Sequence, residues 1–437
     1  MIDSWPYNTM TDPFSLGSRM RKAVLTPRRL AGRFRRRVRG FRRAAAASCA
    51  DASMTRPRLD YAEDGNRGQM NRRALLSFVA WPFHASPDEV SRVHMCLQHS
   101  VEIARAFNRL GYVVDVIDLT DEAFVPSRRY DALFGMHSNF ARLAPMFSDV
   151  PRIYYATGPY WKYLRQTEGN RKREIDKRFG IDAWIPSRIN EEGFLDMADS
   201  VLSLGNAFVA DKYKIENPNV QRIDNSAIVT QIPMDIGDKK YGKERGNFLW
   251  LGSVDMIRKG LPLLLDVFSR VPDAHLWVCG SFDTPHDRPL IRAYRQALFH
   301  SPNIHPLGWM DLHSERFARI CQLCAWTILP SCGEGMAGAI LDCMARGVVP
   351  VVSAEVGVDT DRCGATFPDL SEDSIIAVIR SMAAMSENRC REQAAVAMEL
   401  AGTRYTLDAY RRNIEQRLIA MLAAKSQSSS PNEVVHA

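Results

Sequence analysis

The stretch Ser331-Cys-Gly-Glu-Gly-Met-Ala-Gly-Ala-Ile-Leu-Asp-Cys-Met-Ala-Arg-Gly347 decides the fold of this 437-residue chain. An apolar run at residues 326–329 precedes it, and a second apolar run at residues 348–352 follows it. Strand, glycine-rich turn, helix and strand in this order form a βαβ unit, from which parallel sheets are built. The glycines let a ligand approach the main chain closely. A helix that begins near Met336 would direct its N–H groups and positive end at an anion such as phosphate.

Two carboxylates lie on either side of the start of this helix. Glu334 is in the turn, and Asp342 follows on the order of 10 Å further along the axis, at roughly 1.5 Å per residue. One ligand contacts both only if it is long and carries phosphate at its centre. A nucleotide-diphosphate sugar has this shape, with its sugar near Glu334 and its ribose near Asp342. The alternative is a glycine-rich loop with a solvated glutamate before an amphipathic helix.

Residues 330–352 resemble the donor-site signature of retaining glycosyltransferases of family 4, in which two glutamates are separated by seven residues. Glu334 matches the first glutamate, whereas Asp342, one methylene shorter, replaces the second. The resemblance implies an α/β chain of GT-B fold with two facing Rossmann-like domains. It also implies a nucleotide-diphosphate sugar as donor, no cofactor and no required metal. It covers residues 74–422 loosely and residues 325–352 specifically.

The same resemblance assigns two cations to the donor diphosphate. The family has an arginine directly after a strand glycine and a lysine before the next glycine. Lys259 matches the lysine, whereas Ser253 stands at the arginine position and Arg258 is its substitute from elsewhere in the loop. Solvated loop cations are the alternative. The donor-binding residues implied by the resemblance are Gly252, Ser253, Arg258, Lys259, Gly280, Met310, Glu334, Gly335, Met336, Ala337 and Asp342.

The implied catalytic residues are Glu334, Lys259 and His137. Lys259, with Arg258 and the amides of residues 335–337, would stabilise the leaving diphosphate, and Glu334 would stabilise the oxocarbenium-like sugar carbon. His137 ends the apolar strand pattern 131–137, at the edge where α/β proteins form ligand crevices, and would approach the sugar or the acceptor. A structural histidine is the alternative.

Length and composition predict two domains with tails. In the first, the charge-alternating segment 165–178 predicts a solvated helix, and residues 198–213 resemble the last strand and helix. The predicted divisions are a basic, flexible extension (1–72), an acceptor-side Rossmann-like domain (73–232), a nucleotide-sugar domain (247–404), a helix that crosses back (405–424) and a disordered tail (425–437).

Basic charge is concentrated at the amino end. Residues 1–72 contain 16 Lys and Arg against six Asp and Glu, a net charge of +10 that leaves −3 for the remainder. Residues 26–43 combine many arginines with apolar residues at helical spacing, which is typical of a helix on an anionic membrane. A disordered arm, a nucleic-acid-binding arm, or a later start at Met54 or Met70 are alternatives. The acidic remainder argues against nucleic acid as a partner.

No apolar run approaches the ~18 residues of a membrane span, and no secretory signal opens the chain. Nine irregularly spaced cysteines indicate a reducing compartment, and the lone pair Cys321 and Cys324 indicates core packing rather than zinc. We therefore expect a cytoplasmic protein, peripheral on the inner face of the cytoplasmic membrane.

Together these patterns predict transfer of a sugar to a glycan or lipid-linked acceptor, with retention, in polysaccharide or cell-envelope glycoconjugate synthesis. One alternative is another GT-B enzyme, such as a sugar-nucleotide epimerase or a phosphorylase. The other is a non-catalytic scaffold of a polysaccharide-assembly complex, which the departures at Ser253 and Asp342 favour. The sequence does not reveal the base, the sugar or the acceptor.

Overall fold

The structure of the chain is a computed structural model. The residues that it describes are 55–63, 70–91, 95–186, 190–228, 237, 239–252, 255–282 and 284–428. They divide into two compact units, each built on its own sheet. The predicted membrane-surface segment 26–43 and the end of the tail, residues 429–437, lie outside the described residues.

Strands and helices alternate through most of the chain. The strands are β1 (Arg58–Tyr61), β2 (Arg72–Phe78), β3 (Tyr112–Asp118), β4 (Ala132–Gly135), β5 (Arg152–Ala156), β6 (Ser200–Leu204), β7 (Val220–Ile223), β8 (Asn247–Leu251), β9 (His275–Cys279), β10 (Ile304–Pro306), β11 (Trp326–Leu329), β12 (Val349–Val352) and β13 (Ala365–Thr366). The helices are α1 (Pro87–Ser91), α2 (Met95–Arg109), α3 (His137–Leu143), α4 (Trp161–Phe179), α5 (Ala207–Tyr213), α6 (Tyr241–Glu244), α7 (Leu261–Ser269), α8 (Arg288–Ala293), α9 (Arg295–His300), α10 (Glu315–Leu323), α11 (Gly338–Met344), α12 (Glu372–Ala383), α13 (Glu387–Thr403) and α14 (Leu407–Ser428).

The N-terminal unit contains the described residues up to 157, residues 190–228 and those from 406 onward. Its sheet has the order β1-β3-β2-β4-β5-β6-β7. Neighbouring strands of this sheet are parallel, apart from β1, which runs antiparallel to β3. Helix α14 packs on α2, where Arg109 pairs with Glu415 at 2.6 Å. The last helix of the chain therefore belongs to the unit that the first strands build.

The C-terminal unit contains residues 158–186 and the described residues from 237 to 405. Its sheet is parallel throughout the described strands, in the order β10-β9-β8-β11-β12-β13. Strands β8 and β11 are buried over their full length, as expected where helices cover both faces of a parallel sheet. Cys321 and Cys324 lie in the core of this unit, as the sequence predicted.

The structure corrects three predictions. Residues 1–72 include an ordered strand, β1, whose alternating polar sequence is too short to give a clear pattern. Residues 198–213 are not the last strand and helix of the first half, because β7 follows and pairs with β6. The sequence of residues 290–299 predicts a single helix, whereas the structure has two short helices there, because Tyr294 leaves the helical conformation between them.

Among the described residues, none of the helices is both long and apolar enough to cross a membrane.

Candidate active site

The glycine-rich turn joins β11 to α11 in the C-terminal unit. Helix α11 begins at Gly338, two residues later than the sequence predicted. The Glu334 amide donates to the carbonyl oxygen of Glu355 at 2.9 Å, and the Ala337 amide donates to that of Val356 at 3.1 Å. The turn is therefore fixed against the loop that follows β12, and the Ala337 amide already has an acceptor.

Glycines allow this close packing of loops. Gly357 has a φ of +77°, and a Cβ atom there would lie 1.7 Å from the carbonyl oxygen of Gly335. At the ends of β8 and β9, Cβ atoms on Gly252 and Gly280 would meet the Trp250 ring at 2.3 and 2.9 Å. Close packing against the Trp250 ring therefore accounts for glycine at both positions, and no bound ligand is needed to explain them.

Three charged side chains meet at the carboxyl ends of the neighbouring strands β8 and β11. Nη1 of Arg258 lies 2.7 Å from Oε2 of Glu334, and Nζ of Lys259 lies 3.2 Å from Oε1 of the same glutamate. Asp255 contacts Arg258 from the other side at 2.9 Å. Only 12% of the Glu334 and Arg258 side chains is exposed, so the alternative of solvated loop cations is wrong.

The network keeps Glu334 ionised. Burial alone would raise the pKa of this carboxyl, but the adjacent Arg258 and Lys259 lower it to about 2. Burial opposes the charge on Arg258 as well, yet Glu334 and Asp255 hold the pKa of the guanidinium above its usual value. The network thus combines the side chains of two carboxylate residues, Glu334 and Asp255, with those of two basic residues, Arg258 and Lys259.

This geometry can be compared with known proteins. Residues 245–384, which carry the whole charged network, match the family model of glycosyl transferases group 1. The chain is a GT-B glycosyltransferase. No curated protein matches the chain in sequence.

Solved structures share the fold of this glycosyltransferase. Sucrose-phosphate synthase from Thermosynechococcus elongatus matches with a TM-score of 0.55 and 14% identity, over 81% of this chain and 100% of that chain. Anabaena HepE in complex with UDP has a TM-score of 0.50 and 12% identity, over 80% and 100% of the two chains. The catalytic domain of Arabidopsis thaliana starch synthase IV, bound to ADP and acarbose, has a TM-score of 0.50 and 11% identity, over 81% and 99%. At these identities the likeness shows the fold alone.

The other predicted donor residues of the glycosyltransferase are distributed around this network. Asp342 is buried on α11, and Gly335 and Met336 lie in the turn. Met310 is buried in the core cluster that also contains Leu307. Ser253 lies outside the described residues.

The third predicted catalytic residue of the glycosyltransferase, His137, lies in the N-terminal unit. It begins α3 with a φ of 57°, a conformation that few non-glycine residues adopt. Its Nδ1 atom lies 2.7 Å from Oε1 of Glu191. Sequence analysis missed Glu191, which lies in a segment without helical or strand pattern far along the chain.

Helix α4 of the glycosyltransferase is largely accessible to solvent, as the sequence predicted, with only Leu164, Glu168 and Ile175 buried, but one of its faces contacts loops of the site. The Tyr163 hydroxyl donates to Oε1 of Glu355 at 2.8 Å, and the Thr167 hydroxyl contacts the carbonyl oxygen of Cys332 at 3.0 Å. Polar side chains make these contacts, so an apolar stripe does not reveal them. Their signal in the sequence is the spacing of Tyr163, Thr167 and Arg171, which places all three on one helical face.

Within the described ranges, no group of three or more His, Cys, Asp or Glu side chains could hold a metal ion. That sugar transfer here requires no metal remains a prediction.

Proposed function

We propose that this glycosyltransferase moves a sugar from a nucleotide-diphosphate sugar to a glycan or lipid-linked acceptor, with retention, as family 4 enzymes do. The observation that carries the proposal is the buried network of Arg258, Lys259 and Glu334. It lies beyond the carboxyl ends of two adjacent parallel strands, β8 and β11, where α/β sheets bind ligands. Two cations beside one ionised carboxylate suit a ligand whose diphosphate is next to a carbon that becomes positive.

The two cations would stabilise the leaving group. Breaking the bond between sugar and diphosphate places negative charge on the departing phosphate oxygen, and Arg258 and Lys259 would compensate it. Because both are held in place before the donor arrives, little reorganisation accompanies the reaction. Loss of one such group typically costs about 3–4 kcal/mol in the activation barrier.

Glu334 would act on the sugar. Its pKa of about 2 means that it is an anion at neutral pH, so it can stabilise an oxocarbenium-like carbon. When a diphosphate takes over part of its contacts to Arg258 and Lys259, the carboxylate becomes available to the sugar. The Gly335 and Met336 main chain would lie along the phosphates, and Asp342 would bind the ribose.

The nucleotide is supported by similarity alone. HepE was solved with UDP, and starch synthase IV with ADP, each a nucleoside diphosphate. We propose a leaving group of this class here, without choosing the base. Retention and a role in polysaccharide or cell-envelope synthesis rest on the resemblance to family 4. NMR of the product formed from a donor of known configuration tests retention; an inverted anomeric centre would contradict it.

A non-catalytic scaffold is the second candidate, and one observation favours it. Arg258, Lys259 and Glu334 already compensate one another, so a diphosphate must compete with an internal carboxylate. Calorimetric titration of the full-length protein with UDP, GDP and ADP separates the two candidates. Micromolar to millimolar binding of one nucleotide is expected of an enzyme. Absence of binding to all three would favour the scaffold and contradict the transferase.

We also propose a cytoplasmic location with peripheral contact between residues 26–43 and an anionic membrane. The support is the +10 net charge of residues 1–72. The test compares the full-length protein with a variant that begins at Met54 in co-sedimentation with vesicles of anionic and of neutral lipid. Binding of the full-length protein to anionic vesicles alone is expected, and it should weaken as salt rises. Equal partitioning of the two proteins would contradict the proposal.

A further inference from the structure

Helix α4 runs from Trp161 to Phe179 and ends at Gly180, whose φ of 63° stops the helix. Tyr163, Thr167 and Arg171 follow one another at intervals of four residues, so they lie along one face. All three donate hydrogen bonds to the loops of the candidate active site. One helix thus contacts the turn that carries Glu334 and the loop that carries the two cations.

Arg171 makes the contacts that join the two loops. Its Nη1 atom donates to the carbonyl oxygen of Arg258 at 2.9 Å and to that of Ile257 at 3.2 Å. Its Nη2 atom donates to the carbonyl oxygen of Pro330 at 2.9 Å, directly before the glycine-rich turn. One planar guanidinium therefore bridges the main chains that follow β8 and β11.

Two other residues of α4, Leu164 and Thr167, also lie against the glycine-rich turn. A Cβ atom on Gly333 would lie 2.9 Å from Cδ1 of Leu164, so a larger residue there would displace the Leu164 side chain of α4. The Thr167 hydroxyl contacts the next carbonyl oxygen, that of Cys332. Between the loops, the Cys332 amide donates to the Arg258 carbonyl oxygen at 2.9 Å, the same oxygen that Arg171 contacts.

We infer that Arg171 is a positioning residue for sugar transfer, which holds Arg258 and Lys259 at a fixed distance from Glu334. The inference rests on the proposed function. Arg171 acts through main-chain carbonyls, since each of its three hydrogen bonds ends on a carbonyl oxygen beside or within the charged network. Only a forked, planar donor set can reach three carbonyls of two loops; the compact ammonium of lysine cannot.

The consequence for catalysis follows from the geometry. The cations are useful to the leaving group only where the diphosphate oxygens will be, and a displacement of about 1 Å can cost on the order of 100-fold in rate. Without Arg171, the loop of Arg258 and Lys259 keeps its side-chain pairs to Glu334 but loses its main-chain attachment to α4. We expect the loss to fall mainly on kcat with the donor, and little on the KM for the acceptor.

The experiment compares Arg171→Ala and Arg171→Lys with the matched control Arg178→Ala. Arg178 lies on the same helix and pairs with Asp266 in a more exposed position. Arg171→Ala is expected to lower kcat by roughly 10- to 100-fold, and Arg171→Lys by about 10-fold, with the control near wild type. Guanidinium chloride at non-denaturing concentration should restore part of the activity of Arg171→Ala, whereas ammonium chloride should not. A purely structural role would lower the unfolding temperature without such a rescue.

The outcomes separate the inference from the function on which it rests. A wild-type protein that binds none of UDP, GDP and ADP and transfers no sugar contradicts the proposed function, and this inference with it. A wild-type protein that binds and transfers, beside an Arg171→Lys variant of equal kcat, contradicts the inference alone. If Arg171→Ala does not fold, the kcat of Arg171→Lys tests the positioning role alone, because this variant keeps the charge and most of the side-chain stem.

Discussion

Nη1 of Arg258 lies 2.7 Å from Oε2 of Glu334, although the two residues follow different strands of the C-terminal sheet. Both side chains are largely removed from solvent, so each charge depends on the other for its compensation. Under the proposed function, a donor diphosphate would therefore bind by exchange of partners with Glu334 rather than by occupation of unpaired cations. The exchange would free the Glu334 carboxylate for the sugar.

Replacement of Glu334 by glutamine should separate binding from chemistry. Glutamine keeps the shape but removes the charge that pairs with Arg258 and Lys259, so nucleoside diphosphate affinity should be unchanged or higher. The kcat for transfer should fall by at least about 100-fold, because stabilisation of the sugar carbon is lost. Steady-state kinetics and calorimetry measure the two effects. Glu372→Gln, at an exposed pair with Arg270, is the control. Near-normal turnover of Glu334→Gln would refute the assignment.

Asp342 should affect the donor at its nucleoside end. We expect Asp342→Asn to raise the KM for the donor about 10-fold with little change in kcat, the result of losing a charged hydrogen bond to the ribose. Competitive inhibition by pyrophosphate provides an internal control, because pyrophosphate has no ribose for Asp342 to contact. The variant should bind a nucleoside diphosphate more weakly and pyrophosphate as wild type does. Equal weakening of both would show that the buried Asp342 acts on the turn rather than on the ribose.

Much of the fold could be predicted because parallel strands that are buried on both faces are continuous apolar runs. Strand β11 has the bounds that the sequence predicted. Strand β1 could not be found in this way, since one face of an edge strand is polar and four residues give too little alternation. The break at Tyr294 likewise has no glycine or proline to mark it.

In the site, the glycine-rich turn indicates Glu334 and the resemblance to family 4 indicates Lys259, and the structure brings the two side chains together. The sequence could not show what holds them. Arg171 donates hydrogen bonds to the loops that carry the two residues, over a long distance in the chain, and such contacts leave no periodic pattern nearby. The same holds for Glu191, which contacts His137 in the N-terminal unit. The alternating charge of residues 165–178 predicts a solvated helix, and most of α4 is accessible to solvent, but this pattern does not reveal the polar side chains of α4 that bind loop carbonyls.

Acid should destabilise the protein through Glu334. The pKa of this carboxyl is about 2 in the folded protein against 4.5 for an unperturbed glutamate, so its contribution is complete above pH 4.5. That contribution is lost as the pH falls through 4.5 toward 2, and amounts to roughly 3 kcal/mol. Urea unfolding of the wild type and Glu334→Gln at pH 7, 5 and 3 measures it. The difference between the two proteins should shrink toward pH 3; a constant difference would contradict the low pKa.

At alkaline pH, Lys239 should make the folded protein more stable as the pH rises. Its ammonium is buried and donates to the carbonyl oxygen of Gly347 at 3.1 Å, and burial lowers its pKa from 10.5 to about 8. Between these values the unfolded chain binds more protons than the folded one, so this group makes the folded state more stable as the pH rises from 8 to 10.5. Between pH 8 and 10.5, the free energy of unfolding of the wild type should rise by up to roughly 3 kcal/mol relative to that of Lys239→Met. Urea unfolding of the two proteins measures this difference. If the free energy of unfolding changed with pH equally in the two proteins, the lowered pKa of Lys239 would be contradicted.

Removal of β1 should destabilise the N-terminal unit. The Asp60 amide donates to Oδ1 of the buried Asp115 at 2.7 Å, and the Asp60 carboxylate pairs with Arg73. A variant that begins at Met70 loses these contacts and exposes the edge of β3, whereas a variant that begins at Met54 keeps them. Because hydrogen bonds to charged groups contribute about 1.5–3 kcal/mol each, the shorter variant should be less stable by about 2 kcal/mol or more. Thermal unfolding of both measures the difference, with an expected shift of several degrees. Equal unfolding temperatures would show that β1 adds nothing to the sheet and that the ordered domain begins at β2.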